Sequence, residues 1–322
     1  MTPESSPAAV AVPAQPGHAR WLPLLLLILL GCLWGLSFSL SKLAATNGIH
    51  PFAYVWWQAT GAGLFLTVLC WRRGIGFTLD RPHLGFFLVT GSVGLVLPNI
   101  NMVTTARHVP AGILSTVVTT VPLLTYGLAV VLAMERLQGR KFLGLILGFV
   151  GICFIVLPDS SLPAPEQVGW VLLALLTPAC YATSTICSAR LRPEGTHSLL
   201  AAWGMLASAS VLSTPLVLST GHFYPLFAEP GIADWAMLGQ IAISCVAYIL
   251  FFEIIRRAGP VFVSQVGYVV NLFGLGWGYL IFAEQHSAWV WAAVLTVLLG
   301  VMLVNSQAPA AIPDKPGRSP VS

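Results

Sequence analysis

Ten apolar runs set the rhythm of this chain. They cover roughly 22–44, 51–70, 84–105, 110–134, 141–158, 168–189, 197–219, 235–256, 260–283 and 288–306, with short polar turns between them. Each is close to the ~20 residues a helix needs to cross the hydrocarbon core of a bilayer. Backbone groups in lipid must be bonded within the segment, so the runs predict helices. Their unbroken length argues against a transmembrane barrel, whose strands alternate with a period of two. The pattern predicts an all-α polytopic membrane protein with ten transmembrane helices.

The pattern also repeats. Pro110–Val156 pairs two apolar spans around Glu135-Arg136, and Pro260–Asn305 pairs two more around Glu284. A shift of 149 lays Ser115 on Ser264, Thr119 on Tyr268, Pro122 on Asn271, Glu135 on Glu284 and Gly151 on Gly300. A shift of 147 lays Trp34 on Tyr181, Ser37 on Ser184 and Ser41 on Ser188. Basic residues then set the orientation. With the N-terminus inside, thirteen of the fifteen Lys and Arg fall in inside segments, and only Lys42 and Arg107 lie outside. That asymmetry predicts that both termini are cytoplasmic. Five spans, an odd number, separate the copies, so they cross the membrane in opposite senses. The expected organisation is two inverted-topology five-helix repeats (5+5) at about 20–158 and 167–306. Residues 1–20 and 307–322 are expected to be disordered cytoplasmic ends.

Composition agrees. The 322 residues are 57% apolar and only 8% charged, against about 25% charged in soluble domains. The expected solvent is the lipid bilayer. Leu29-Leu30-Gly31-Cys32 looks slightly like a lipoprotein cleavage box, but the apolar run continues past it, so an uncleaved first helix is expected. The net charge of +4 is scattered over short loops, which predicts no nucleic-acid partner. The six cysteines form no CxxC pair and the seven histidines no HxxxH or HExxH, so neither a metal nor a cofactor is expected.

Candidate chemistry lies on the matched faces. In the fourth span Ser115, Thr119, Pro122 and Tyr126 form one helical stripe, and its counterpart in the ninth carries Tyr268 and Asn271, with Gln265 beside it. These stripes either line a shared cavity or hold helices together by interhelical hydrogen bonds. Asn271 is the sharpest member, because a mid-span amide is costly without a partner. In the third span Asn99 and Asn101 flank the helix disturbed by Pro98; they bind solute or satisfy the backbone that proline frees. Trp34, Ser37, Tyr181, Ser184 and Tyr248 complete the candidate substrate cavity. Glu253 is a candidate coupling carboxylate, with a helix-end ion pair to Arg256 or Arg257 as the plainer reading. Glu284 and Glu135 are expected to pair with loop bases or cap the next helix, and Lys42 to snorkel to the surface. Gly144, Gly148 and Gly151 form a small-residue face for packing inside the bundle or between protomers, so monomer and homodimer both stay open.

These residues carry a resemblance. C-L-W-G-L-S-F at 32–38, P-A-G at 110–112, V-P at 121–122, E-R at 135–136 and the glycine-faced fifth span resemble EamA-type members of the drug/metabolite transporter superfamily. A-G-P at 258–260, A-E at 283–284 and the Gly300 span carry the resemblance into the second half. It implies a central cavity lined by spans 1, 3, 4, 6, 8 and 9, with 5 and 10 flanking. It further implies an inner-membrane exporter of amino acids, metabolites or drug-like compounds. Asn271 departs from it, since the second repeat usually has a proline there. The expected function is secondary transport of a small molecule by alternating access. An importer or exchanger of another solute class is the alternative, and a receptor or assembly scaffold is the reading from a different class. No enzyme is expected: there is no GxxxxGK[ST] loop, no GxSxG serine, and every Asp lies in a loop.

Overall fold

The computed structural model describes residues 22–133, 136–156, 166–263 and 266–305; the side chains of 188–189, 252, 255–263 and 304–305 are not part of that description. Both chain ends, Glu135, Ser264 and Gln265 therefore lie outside the described residues. Among the described residues all regular structure is helical. The helices are α1 (Leu22–Thr46), α2 (Pro51–Arg72), α3 (Arg81–Gly91), α4 (Leu97–Ala106), α5 (Ala111–Val118), α6 (Val121–Val131) and α7 (Gly139–Val156). They continue as α8 (Gln167–Ala174), α9 (Leu176–Leu191), α10 (Ser198–Thr220), α11 (Ile232–Val263), α12 (Val266–Phe282) and α13 (Ala288–Asn305). Seven described stretches are long and apolar enough to cross a membrane, including the compound rods Arg81–Ala106, Ala111–Val131 and Gln167–Cys187. The shorter α12, 17 residues long, spans about 26 Å at 1.5 Å per residue.

Proline explains the interruptions inside the rods. Pro98, Pro122 and Pro178 lack an N–H, so the carbonyls of Gly94, Val118 and Ala174 lose their i+4 donors. The ladder opens at each place: a π-turn at Ser92–Val96, a turn at Thr119–Thr120 and a turn at Leu175. At the second of these, Thr119 Oγ1 donates to the Ser115 carbonyl at 2.8 Å and Thr120 Oγ1 to the Val117 carbonyl at 2.7 Å. Pro260 behaves differently. The sequence pattern ends one span at 256 and opens the next at Pro260, but α11 runs helical from Ile232 to Val263 and α12 starts at Val266. One missing donor is not enough to end a 32-residue helix whose other rungs hold.

Contacts between the two halves come in exchanged pairs. Helix α1 packs on α12 and α11, while α9 packs on α6 and on α3–α4. Helix α2 packs on α11, while α10 packs on α3. The remaining large contacts join like to like: α2 to α10, α5 to α12 and α7 to α13. The last seam uses the glycine face. A methyl on Gly300 would sit 2.6 Å from the Gly144 carbonyl oxygen, and one on Gly151 would overlap Val297. Large apolar side chains such as Val131, Phe149 and Leu280 point outward, as the lipid-facing side of a bundle requires.

Candidate functional site

The α1–α12–α5 crossing is built on glycine. A Cβ on Gly35 would lie 2.9 Å from the backbone nitrogen of Gly274, and one on Gly274 would overlap the Ser115 side chain. One turn from Gly274, Asn271 is fully buried. Its Oδ1 accepts from Thr116 Oγ1 at 3.0 Å and lies 3.4 Å from Ser115 Oγ. Each hydroxyl has a single proton and a second acceptor, the Gly112 carbonyl, at 2.7 Å from Ser115 and 3.0 Å from Thr116. Thr116 is therefore the main holder of Asn271. The Asn271 Nδ2 has no protein hydrogen-bond partner among the described residues. A buried amide with unused donors is destabilising by about 1–3 kcal/mol unless an acceptor or water meets it. Asn271 is thus a buried donor pair that no acceptor among the described residues meets.

The rest of the stripe divides. Thr119 bonds back to its own helix. Tyr126 sits at the far end of α6, some 15 Å along the rod from Thr116, where its hydroxyl accepts from Gln138 N at 3.0 Å and donates to the Arg136 carbonyl at 3.4 Å. Lys141 stands 5.1 Å over its ring. Tyr126 thus pins the turn into α7, and Tyr268 packs beside it with Leu123 and Val297. Gln265 is outside the described residues.

Both asparagines of the third rod engage the backbone. Asn99 Nδ2 donates to the Leu95 carbonyl at 3.0 Å. Asn101 Nδ2 donates to the Leu173 carbonyl and to Thr177 Oγ1, each at 2.9 Å, and Thr177 in turn donates to the Pro98 carbonyl at 3.2 Å. This chain ties the break before α4 to the break before α9. Ser184 abuts Gly94 in the π-turn.

A second polar group joins α1, α2 and α11. Trp34 packs on Phe251, ring centroids 5.6 Å apart, and Ser37 donates to the Leu33 carbonyl at 3.3 Å. Tyr181 is partly buried on α9, and Tyr248 packs against the cluster that holds Tyr54. Tyr54, fully buried, shares a 2.8 Å hydrogen bond with Ser41. Gln58 and Gln240 both donate to Ser244 Oγ, at 3.1 and 3.4 Å, and their Oε1 atoms have no protein partner among the described residues. Thr116, Thr177 and Tyr54 escape sequence reading, because only the α-helical register of one rod against another shows which polar residue meets which. The mid-span amides Gln58 and Gln240 were visible by the same signal as Asn271. Glu253 is half-buried on α11 and engaged with its surroundings.

The densest charge lies at the Lys42 end of the bundle. Lys42 Nζ is 2.6 Å from Glu284 Oε1 and 4.6 Å over the Phe282 ring, so it pairs instead of snorkelling. Glu284, only 7% exposed, also accepts from Ala111 N at 2.9 Å and Gly112 N at 3.1 Å, the first amides of α5. The helix it caps belongs to the other half of the chain. His286 Nε2 stands 3.9 Å from Glu284 Oε2. Burial holds the His286 imidazole below its ordinary value, outweighing the pull of Glu284, with Lys42 lowering it further.

Comparison with known proteins gives this architecture its context. The EamA-like transporter family model matches twice, over residues 21–157 and 168–306. An uncharacterized inner membrane transporter of Escherichia coli K12, YedA, is 28% identical over 299 residues, covering 90% of this chain and 92% of that protein. An uncharacterized transporter of Bacillus subtilis 168, YvbV, is 23% identical over 291 residues, covering 89% and 92%. One solved crystal structure is similar with a TM-score of 0.58 and 18% identity, over 88% of this chain and 97% of the other, a likeness of fold alone.

Proposed function

This chain belongs to the EamA-like transporter family, and from that premise we propose that it is a secondary exporter of small metabolites in the inner membrane. Amino acids and amphipathic drug-like compounds are the solute classes. The reading has ten spans in two inverted repeats: α1, α2, α3–α4, α5–α6 and α7 against α8–α9, α10, α11, α12 and α13. Both termini are cytoplasmic, as the basic-residue asymmetry requires. The observation that carries the reading is the exchange of contacts: α1 with α12 and α11 against α9 with α6 and α3–α4. Halves related in this way have two near-equivalent arrangements, obtained by swapping roles, and rocking between them gives alternating access around a shared centre.

At that centre Asn271 Nδ2 offers two donors. We assign it to a carbonyl or carboxylate oxygen of the solute, with Trp34, Tyr181 and Tyr248 as the aromatic wall. A preformed donor pair selects solutes with an acceptor, since a solute without one leaves the amide unmet. The test is counterflow in proteoliposomes across a panel of amino acids, metabolites and drugs. One class should exchange above empty vesicles, and Asn271→Ala should reduce it at least tenfold. Flux of none of them would favour a receptor or scaffold. Orientation is read separately: an impermeant maleimide should label Asn47→Cys in intact cells and Arg73→Cys only after permeabilisation.

A further inference from the structure

We infer that Glu284 is a gating latch: it closes the Lys42 end of the pathway by capping α5 while paired with Lys42, and its release opens that end. The inference rests on the transport reading above and adds residues that reading does not use. Three elements meet at one carboxylate. Lys42 comes from the last turns of α1, Ala111 and Gly112 from the start of α5, and Glu284 from the turn after α12. The contact therefore joins the two halves directly above the crossing where Asn271 lies. A carboxylate at a helix N-terminus is favoured by the free amides and the helix dipole together, and the ammonium reinforces it. The groups facing Glu284 are Lys42 from α1, the α5 amides, and His286 from its own turn; the His286 Nε2 has no hydrogen bond among the described residues. Gly112 leaves the space that His286 enters, since a Cβ there would lie 2.7 Å from Nε2.

The opposite end is built differently in this structure. In the second half the equivalent of the break before α5 falls at Pro260, and there α11 stays helical through Val263. No helix N-terminus opens at Pro260 for a carboxylate to cap. Among the described residues the carboxylate cap is found at the Lys42 end; Glu135, the repeat counterpart of Glu284, lies outside them.

Peptide-resolved hydrogen exchange on the full chain in lipid nanodiscs tests this without a known solute. Glu284→Gln should speed exchange at least tenfold in peptides covering 109–118 and 266–275, and leave 139–156 and 288–303 as in the wild type. Lys42→Met should do the same to a smaller degree. Combining Lys42→Glu with Glu284→Lys should not restore protection, because it puts a cation at the start of α5. Unchanged exchange at 266–275 in Glu284→Gln, or full restoration by the reversed pair, would overturn the latch. If Glu284→Gln loses protection everywhere, Glu284→Asp, one methylene too short to hold both α5 amides and Lys42, carries the same expectation. Flux in the counterflow assay without these exchange changes removes the latch alone; these changes without flux of any solute remove the transport reading and the gate with it, leaving a structural clamp.

Discussion

At the scale of residues, Asn271 and Asn101 are chemically alike and do opposite work. Asn101 satisfies protein acceptors at two helix breaks, so Asn101→Ala strands the Leu173 carbonyl and a Thr177 lone pair. It should lower stability by about 1–3 kcal/mol with solute preference unchanged, read as a fall in thermal midpoint beside an unaltered counterflow profile. Asn271 leaves its donors unused, and both its hydroxyl neighbours already reach Gly112. Asn271→Ala should therefore change stability by less than about 1 kcal/mol while removing most flux. Equal thermal losses in the two variants would contradict this division. If Glu253 couples protons to transport, Glu253→Gln should abolish uphill flux and spare exchange. That Asn271 is a mid-span amide in need of partners was readable from one amide in an apolar run. That Thr116 and not Thr119 would hold it was not, since both fit a helical face and only the depth of the α5–α12 crossing chooses between them.

At the scale of elements, proline is an incomplete guide. Pro98, Pro122 and Pro178 each sit just beyond an interruption, whereas Pro215 and Pro260 lie inside continuous helices. Removing one donor does not by itself open a helix: at the break before Pro122 the Thr119 and Thr120 hydroxyls also bond back to the Ser115 and Val117 carbonyls, while Pro215 and Pro260 are passed without a break. Pro122→Ala should restore the bond to Val118, straighten α5–α6, raise the thermal midpoint and slow flux. The loops show a pH effect with a definite sign. His50 caps α2 and stacks on His222 at 3.7 Å, joining the α1–α2 and α10–α11 turns. Burial, then His222, then Arg107 hold the His50 imidazole below its ordinary 6.5. The folded chain thus binds its proton later than the unfolded chain does. The stability it contributes is present above about pH 6.5 and is lost as pH falls through the lower folded value. Exchange in peptides covering 46–52 and 220–224 should rise on acidification from pH 7 to 5, and His222→Gln should flatten that rise.

At the scale of the whole molecule, most of the helix pattern was legible because lipid permits few alternatives and apolar runs mark it directly. The α7–α13 seam was half legible: the glycines announced close packing, and the structure shows that their partner is α13 of the same chain. Gly300→Leu should lower the thermal midpoint by several degrees, since the Gly144 backbone has no room to give, with the same solute preference in whatever protein remains folded. A seam that tolerated leucine would mean the halves are held together elsewhere.

The Gly35–Gly274 contact has a mechanical meaning. With the Gly35 and Gly274 backbones in direct approach, Val269 seated over Gly31 and Trp277 Nε1 bonded to the Cys32 carbonyl at 3.2 Å, α1 and α12 meet at a close pivot. Lys42 stands seven residues, or about 10 Å, from that point along α1. A tilt of only about 10° would carry the ammonium some 2 Å, enough to part a 2.6 Å ion pair. A rotation too small to disturb the crossing is thus amplified along the helix into the difference between a shut end and an open one.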